Sequence, residues 1–155
     1  MGLNAARHIS SHDINTIVFL VDTDMSFIRD ELSLFKLTRN QIITKISELP
    51  QIVDLIIVAL NEDSSNARFY SDVPNWVEKN RSAVLAVDPP AFGTPGIAAK
   101  VSLVPLLPLP HSPANGKIYL CNLGFPILIF NELRITYKSP FGSKFIIPLH
   151  PNEEV

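Results

Sequence analysis

The sequence predicts an α/β fold built on a mostly parallel sheet, and three observations predict it. Ala83 to Val87 (AVLAV) is a short apolar run ended by Asp88, Pro89 and Pro90, the mark of a strand buried on both faces. Ile14 to Val21 (INTIVFLV) and Val53 to Leu60 (VDLIIVAL) are two more strand-like runs. Helical patterns separate these runs, and strands alternating with helices build βαβ units whose strands run parallel.

Each element has its own signal. Gly2 to His8 reads as the early turns of a helix, with Leu3, Ala6 and Ile9 on one face. After the strand Ile14 to Val21, Asp22-Thr23-Asp24 supplies an N-cap and first-turn acid. The helix that follows carries Met25, Ile28, Leu32 and Phe35 at spacings of three and four, one apolar stripe. Val53 to Leu60 is the second buried strand, Pro74 to Arg81 a short helix bearing Trp76 and Val77, and Ala83 to Val87 the third strand.

The character changes after Pro89. Pro105, Pro108, Pro110 and Pro113 punctuate an apolar stretch, with a short strand at Val101 to Val104 and a rigid exposed loop from His111 to Gly116. Lys117 to Cys121 (KIYLC) is a further strand. Gly124-Phe125-Pro126 opens a short helix, Ile127 to Leu133, and Phe145 to Ile147 is a last extended piece. The length is that of one domain, residues 1–150, with a polar tail at 151–155.

Composition narrows the function classes. A net charge of -2 with 18% charged residues gives no overall basic field for nucleic acid. The 46% hydrophobic content supports a real core. The single Cys121 excludes an internal disulfide and fits a reducing compartment. No apolar run reaches the ~18–20 residues that cross a bilayer, and no apolar stretch follows Arg7 as in a secretory signal. The expectation is an intracellular domain with no membrane contact.

In parallel sheets, ligands bind beyond the carboxyl ends of the strands, which makes Asp88 the first candidate. A lone Asp there is more often a turn former or a solvated rim residue than a catalyst. A neighbouring acid or base would be needed to make it one. The tips of adjacent strands offer Asn61 with two loop acids, and Asn122, but no acid–base pair. His8 and His12 are spaced for one helix face, yet a metal needs a third ligand nearby, so no metal is expected. Cys121 lies within a strand with no basic partner and reads as a small hydrophobe. Phe92 to Gly96 has two glycines, but Pro95 removes a donor and no strand-to-helix frame surrounds it, so it is no phosphate loop. Lys138 and Lys144 flank Ser139-Pro140-Phe141-Gly142, an aromatic-basic cluster suited to weak RNA contact, with Lys100 expected near the crevice.

The C-terminal cassette is distinctive: Ile118 to Pro126 (IYLCNLGFP), then Tyr137 to His150 (YKSPFGSKFIIPLH). Together with Ala83 to Pro90, Gly96-Ile97, Ala99-Lys100 and Asp30 to Phe35, it resembles the YjeF-type domain of the mRNA-decapping enhancer family. The resemblance covers Gly2 to His150 and implies a three-layer α/β/α Rossmann-like sandwich. Related enzymes of the wider family epimerise hydrated nicotinamide nucleotides. Against their pattern the chain starts just after the phosphate loop, lacking that loop, the first strand and the N-terminal helices. The strand it lacks runs through the middle of the family's sheet, so two strand edges and unpaired apolar faces are expected, an aggregation liability.

The residues present depart from the enzymes as well. Val58 stands where they carry an Asp, and Lys100 where they have another. Leu109 replaces a Lys, and Asp-Ile-Pro-Ser-Gly becomes Asp88-Pro89-Pro90-Ala91-Phe92. The resemblance thus implies a non-catalytic scaffold with no cofactor, homodimeric, assembling decapping complexes in cytoplasmic P-bodies, with RNA or nucleotide binding. The family parts that engage the decapping enzyme and its helicase lie in an Sm-like domain and a linker, outside these residues. The alternatives are a working hydrate epimerase using Asp88, or an incomplete product that does not fold alone.

Overall fold

In the computed structural model the described residues are 1–21, 26, 28–60 and 67–150. Helix α1 (Gly2–Ser10) is followed by strand β1 (Ile17–Phe19), helix α2 (Arg29–Lys36), strand β2 (Gln41–Ile43) and strand β3 (Leu55–Val58). Helix α3 (Ala67–Asn80) leads into β4 (Ala83–Val87), then β5 (Val101–Pro105), β6 (Lys117–Cys121), helix α4 (Ile127–Glu132) and β7 (Ile146–Pro148). The class is the expected one. β3, β4, β5 and β6 run parallel in that order, and β7 closes antiparallel on β6.

The sheet comes in two pieces. β1 and β2 pair parallel with each other, and among the described residues β3 pairs with β4 on one side only. Helix α1 ties the pieces together. It packs on α2 and β1, while a Cβ at Gly2 would sit 2.7 Å from the Ala59 Cβ just beyond β3. The Arg7–Glu31 ion pair between α1 and α2 is long (3.9 Å) and half-exposed, so it adds little to this packing.

Local sequence explains most boundaries. In α2, Leu32 and Phe35 are buried as the stripe requires; Asp22-Thr23-Asp24 and Met25 lie outside the described residues. β1 is shorter than Ile14 to Val21, though the Leu20 N–H still donates to the Ile43 carbonyl at 3.0 Å. β2 has no counterpart in the sequence reading, because Gln41-Ile42-Ile43 is too short to show a period. Helix α3 begins at Ala67, well before Pro74, which lies inside it. Proline usually marks a first turn; here it packs toward Gly96, where a Cβ would lie 2.9 Å from the Pro74 Cβ. Asn80 then laces the helix end to the entry of β3. Its Oδ1 accepts from the Val53 N–H at 3.0 Å and its Nδ2 donates to the Gln51 carbonyl at 3.1 Å.

One face of the larger sheet is sealed. Ala86, Ser102 and Ile118 share a register row, as do Val104 and Leu120, and all are buried. Val77 of α3, with Ile97, covers Ile56, Val58 and Val84, while Phe141 covers Val104, Ile118 and Leu120. The opposite face is only half-covered: Leu85, Val87, Leu103 and Tyr119 are intermediate and Leu55 is exposed. Ala83 to Val87 is therefore a strand with one buried face, not two. Its apolar continuity reports the sheet's chemistry, while no helix among the described residues seals the second face.

Candidate functional site

The site begins where β4 ends. Asp88 adopts φ 52, a left-handed conformation that Asp tolerates better than most residues, and its N–H donates to the Leu103 carbonyl at 2.8 Å. That bend throws the carboxylate out to solvent at the C-terminal edge of the sheet.

Two crossovers, 88–100 and 106–116, then return the chain, and neither contains an α-helix. Each crossover makes short turns of its own, the Gly93 N–H donating to the Pro90 carbonyl at 2.9 Å and the Gly116 N–H to the Pro113 carbonyl at 3.0 Å, and the two crossovers also bond each other. The Ser112 N–H donates to the Ala91 carbonyl at 2.7 Å and the Ala99 N–H to the Ala114 carbonyl at 2.8 Å. Asn115, 1% exposed, is the central clip. Its Nδ2 donates to the Pro90 carbonyl at 2.8 Å and lies 3.0 Å from the His111 Nδ1, while its own carbonyl accepts from the Ser102 hydroxyl at 2.7 Å.

That arrangement decides the state of His111. An amide nitrogen has no lone pair to offer, so Nδ1 must accept and the ring proton sits on Nε2. Nε2 is buried and finds no partner among the described residues. Burial pulls the His111 pKa below its ordinary value, and the nearby Asp88 charge opposes that shift. The fold thus holds a neutral imidazole near an exposed carboxylate. No hydrogen bond joins the two, so they do not form a coupled acid–base pair.

A pH dependence follows. The neutral form is favoured in the fold, so its stabilisation is complete above pH 6.5 and declines as pH falls, because the unfolded chain takes up the proton first. Thermal melts between pH 7.5 and 5 should show stability falling with pH, with a shallower fall in His111→Gln. Equal slopes would contradict this assignment.

The sequence-predicted residues are only partly brought together. Asp88 and Asn122 lie at the same sheet edge, but Asn122 Oδ1 is spent on the Gly124 N–H at 2.8 Å. Lys100 is exposed at the opposite edge, where its N–H donates to the Val84 carbonyl at 2.9 Å, so it does not face the crevice. Asn61 lies outside the described residues. Lys138 and Lys144 are exposed as expected, but Phe141 is 2% exposed and belongs to the core, so no base can stack on it. His8 ends up within α1 and His12 in the turn after it, not on one helix face. Among the described residues no three His, Cys, Asp or Glu side chains gather as metal ligands. Cys121 is half-buried and its thiol is pushed up by burial, in keeping with a packing role.

Sequence reasoning missed His111 and Asn115 by reading 111–116 as an exposed loop. A signal was present in Ser112-Pro113-Ala114-Asn115-Gly116. The Ser112 side chain caps a tight 3₁₀ turn by accepting from the Ala114 N–H, and that turn drives Asn115 inward.

No family model matches the sequence. Among curated proteins the chain is similar to enhancer of mRNA-decapping protein 3 from Gallus gallus and from Homo sapiens, each 41% identical over 157 residues. It is also similar to that of Drosophila melanogaster, 30% identical over 190 residues. These alignments cover 96%, 96% and 99% of this chain, which spans 31%, 31% and 27% of the relatives' lengths. Among solved structures, the crystal structure of yeast ynu0 (YNL200c) superposes with a TM-score of 0.64 at 15% identity, over 96% of this chain and 71% of that one. That likeness supports the Rossmann-like YjeF-type α/β fold.

Proposed function

From a sequence that matches enhancer of mRNA-decapping protein 3 along 96% of its length, we propose that this chain is a non-catalytic, self-associating module of the mRNA-decapping machinery. Its place is cytoplasmic, in P-bodies, where it helps hold decapping complexes together as a homodimer. No helix among the described residues is long and apolar enough to cross a membrane, and the proposed role needs no membrane.

The observation that carries the non-catalytic part is the state of Asp88. An epimerase must move protons through positioned acids and bases. Here Asp88 is exposed and, among the described residues, hydrogen-bonded through its backbone. The resemblance sets Val58 and Leu109 at two of the enzymes' polar positions, and Lys100 is exposed at the far edge of the sheet. Weak RNA contact is assigned to Lys138 and Lys144 without an aromatic platform, and it should fade with salt because phosphate contacts act through counterion release.

The competing reading is hydrate epimerisation by Asp88. The chain incubated with one epimer of hydrated NADH should convert it no faster than the spontaneous rate, with Asp88→Asn giving the same trace. Conversion above that rate, abolished in Asp88→Asn, would overturn the proposal in favour of the enzyme.

A further inference from the structure

A hydroxyl residue followed by proline occurs three times in the chain, at Thr94-Pro95, Ser112-Pro113 and Ser139-Pro140. The fold treats the three differently. Thr94 is 7% exposed and closed to any modifying enzyme. Ser112 is half-buried, and its hydroxyl caps the 3₁₀ turn by accepting from the Ala114 N–H at 3.2 Å. Ser139 is exposed, together with Lys138 before it and Pro140 after it. Its hydroxyl accepts only a long 3.4 Å bond from the Phe141 N–H among the described residues.

We propose that Ser139 is a phosphorylation site, the acceptor for a proline-directed Ser/Thr kinase. Residues 135–139 belong to no helix or strand, so the segment can straighten into a kinase cleft without breaking a ladder. Pro140 biases Ser139 away from helix and leaves no N–H at the next position to be satisfied in the enzyme's pocket. Phe141, 2% exposed, anchors the far end of the segment in the core. The Ser139 Oγ attacks the γ-phosphorus of a nucleoside triphosphate, and the bond to the β,γ-bridging oxygen breaks. The nucleoside diphosphate leaves with that electron pair, and the hydroxyl proton passes to the kinase's carboxylate base.

The surrounding charge gives the phosphate a consequence. From Leu133 to Lys144 the charged residues are Arg134, Lys138 and Lys144, with no acid among them. All three are exposed, and none forms an ion pair among the described residues. A phosphoserine brings about −1.5 to −2 charges and three acceptor oxygens, so it cancels up to about two of these three positive charges. The regulatory effect rests on the reading of Lys138 and Lys144 as the RNA contact: a phosphate between them repels the RNA backbone and releases it.

The test incubates the full 155-residue chain with a proline-directed kinase and ATP, and maps the product by tandem mass spectrometry. Phosphate is expected on Ser139 and on neither Ser112 nor Thr94. It should be lost in Ser139→Ala, whose thermal melt should match the unaltered chain because the position is exposed. No incorporation, or incorporation at Ser112 or Thr94 that persists in Ser139→Ala, overturns the site. The phosphorylated chain is then titrated with a labelled single-stranded RNA at low salt. Affinity should fall about 10-fold against the unmodified chain and return after phosphatase treatment. Equal affinities overturn the regulatory effect and leave the site standing. An unmodified chain with no RNA affinity overturns the contact assigned to Lys138 and Lys144, and the regulatory effect with it.

Discussion

Phe141→Ala is expected to destabilise the chain by about 3–5 kcal/mol, the range for removing a buried aromatic ring. Phe141 is 2% exposed and packs against Val104, Ile118 and Leu120, with Ile147 and Leu149 alongside. The ring reaches the sheet from a turn held by the Lys144 N–H donating to the Phe141 carbonyl at 2.9 Å. It thereby joins the end of the chain to the centre of the sheet. Nothing else in this cluster can fill the void, because β5 and β6 are fixed by their ladder. Urea unfolding measures the loss, and RNA affinity measured on the folded fraction should stay unchanged. A loss below about 1 kcal/mol, or a selective drop in RNA binding, would return Phe141 to the surface role its basic neighbours suggest.

Gly116→Ala should cost about 3 kcal/mol or more, the range of substitutions that combine backbone strain with steric clash. Gly116 sits at φ 61 between the clip and the first residue of β6. A Cβ there would collide with the Ala99 carbonyl oxygen and lie 2.5 Å from that of Lys100. These are backbone atoms, and the Lys100 carbonyl already accepts from the Lys117 N–H at 3.1 Å. Relief would require parting β5 from β6 where they begin. Gly142 is the control: it has a similar φ of 57, and an added methyl there would meet nothing within 4 Å. Gly142→Ala should therefore show only the left-handed penalty of about 1–2 kcal/mol. Equal effects at the two positions would mean that the clash at Gly116 is relaxed at no cost.

The same geometry shows what the sequence could and could not reveal. Ala83 to Val87 and Lys117 to Cys121 were legible to the residue because the apolar runs there stop at the polar Asp88 and Asn122. Helix α4 was legible from Pro126, a good helix opener. The N-terminal half of α3 was hidden behind Pro74, and β2 is too short to carry a pattern. At the candidate site Asp88 was visible because a strand announces its own end. His111 and Asn115 were not, since their meaning comes from Pro90 and Ser102, which are close in space and distant in sequence. Phe141 was misread for the same reason: the lysines around it are local, but the core it fills is not.

The proposed self-association is read from the solution mass of the unaltered 155-residue chain. Light scattering after size exclusion, repeated over a range of concentrations, should give a discrete species of twice the chain mass that dissociates on dilution. A single-chain mass at every concentration, or a polydisperse species in the void volume, would contradict it.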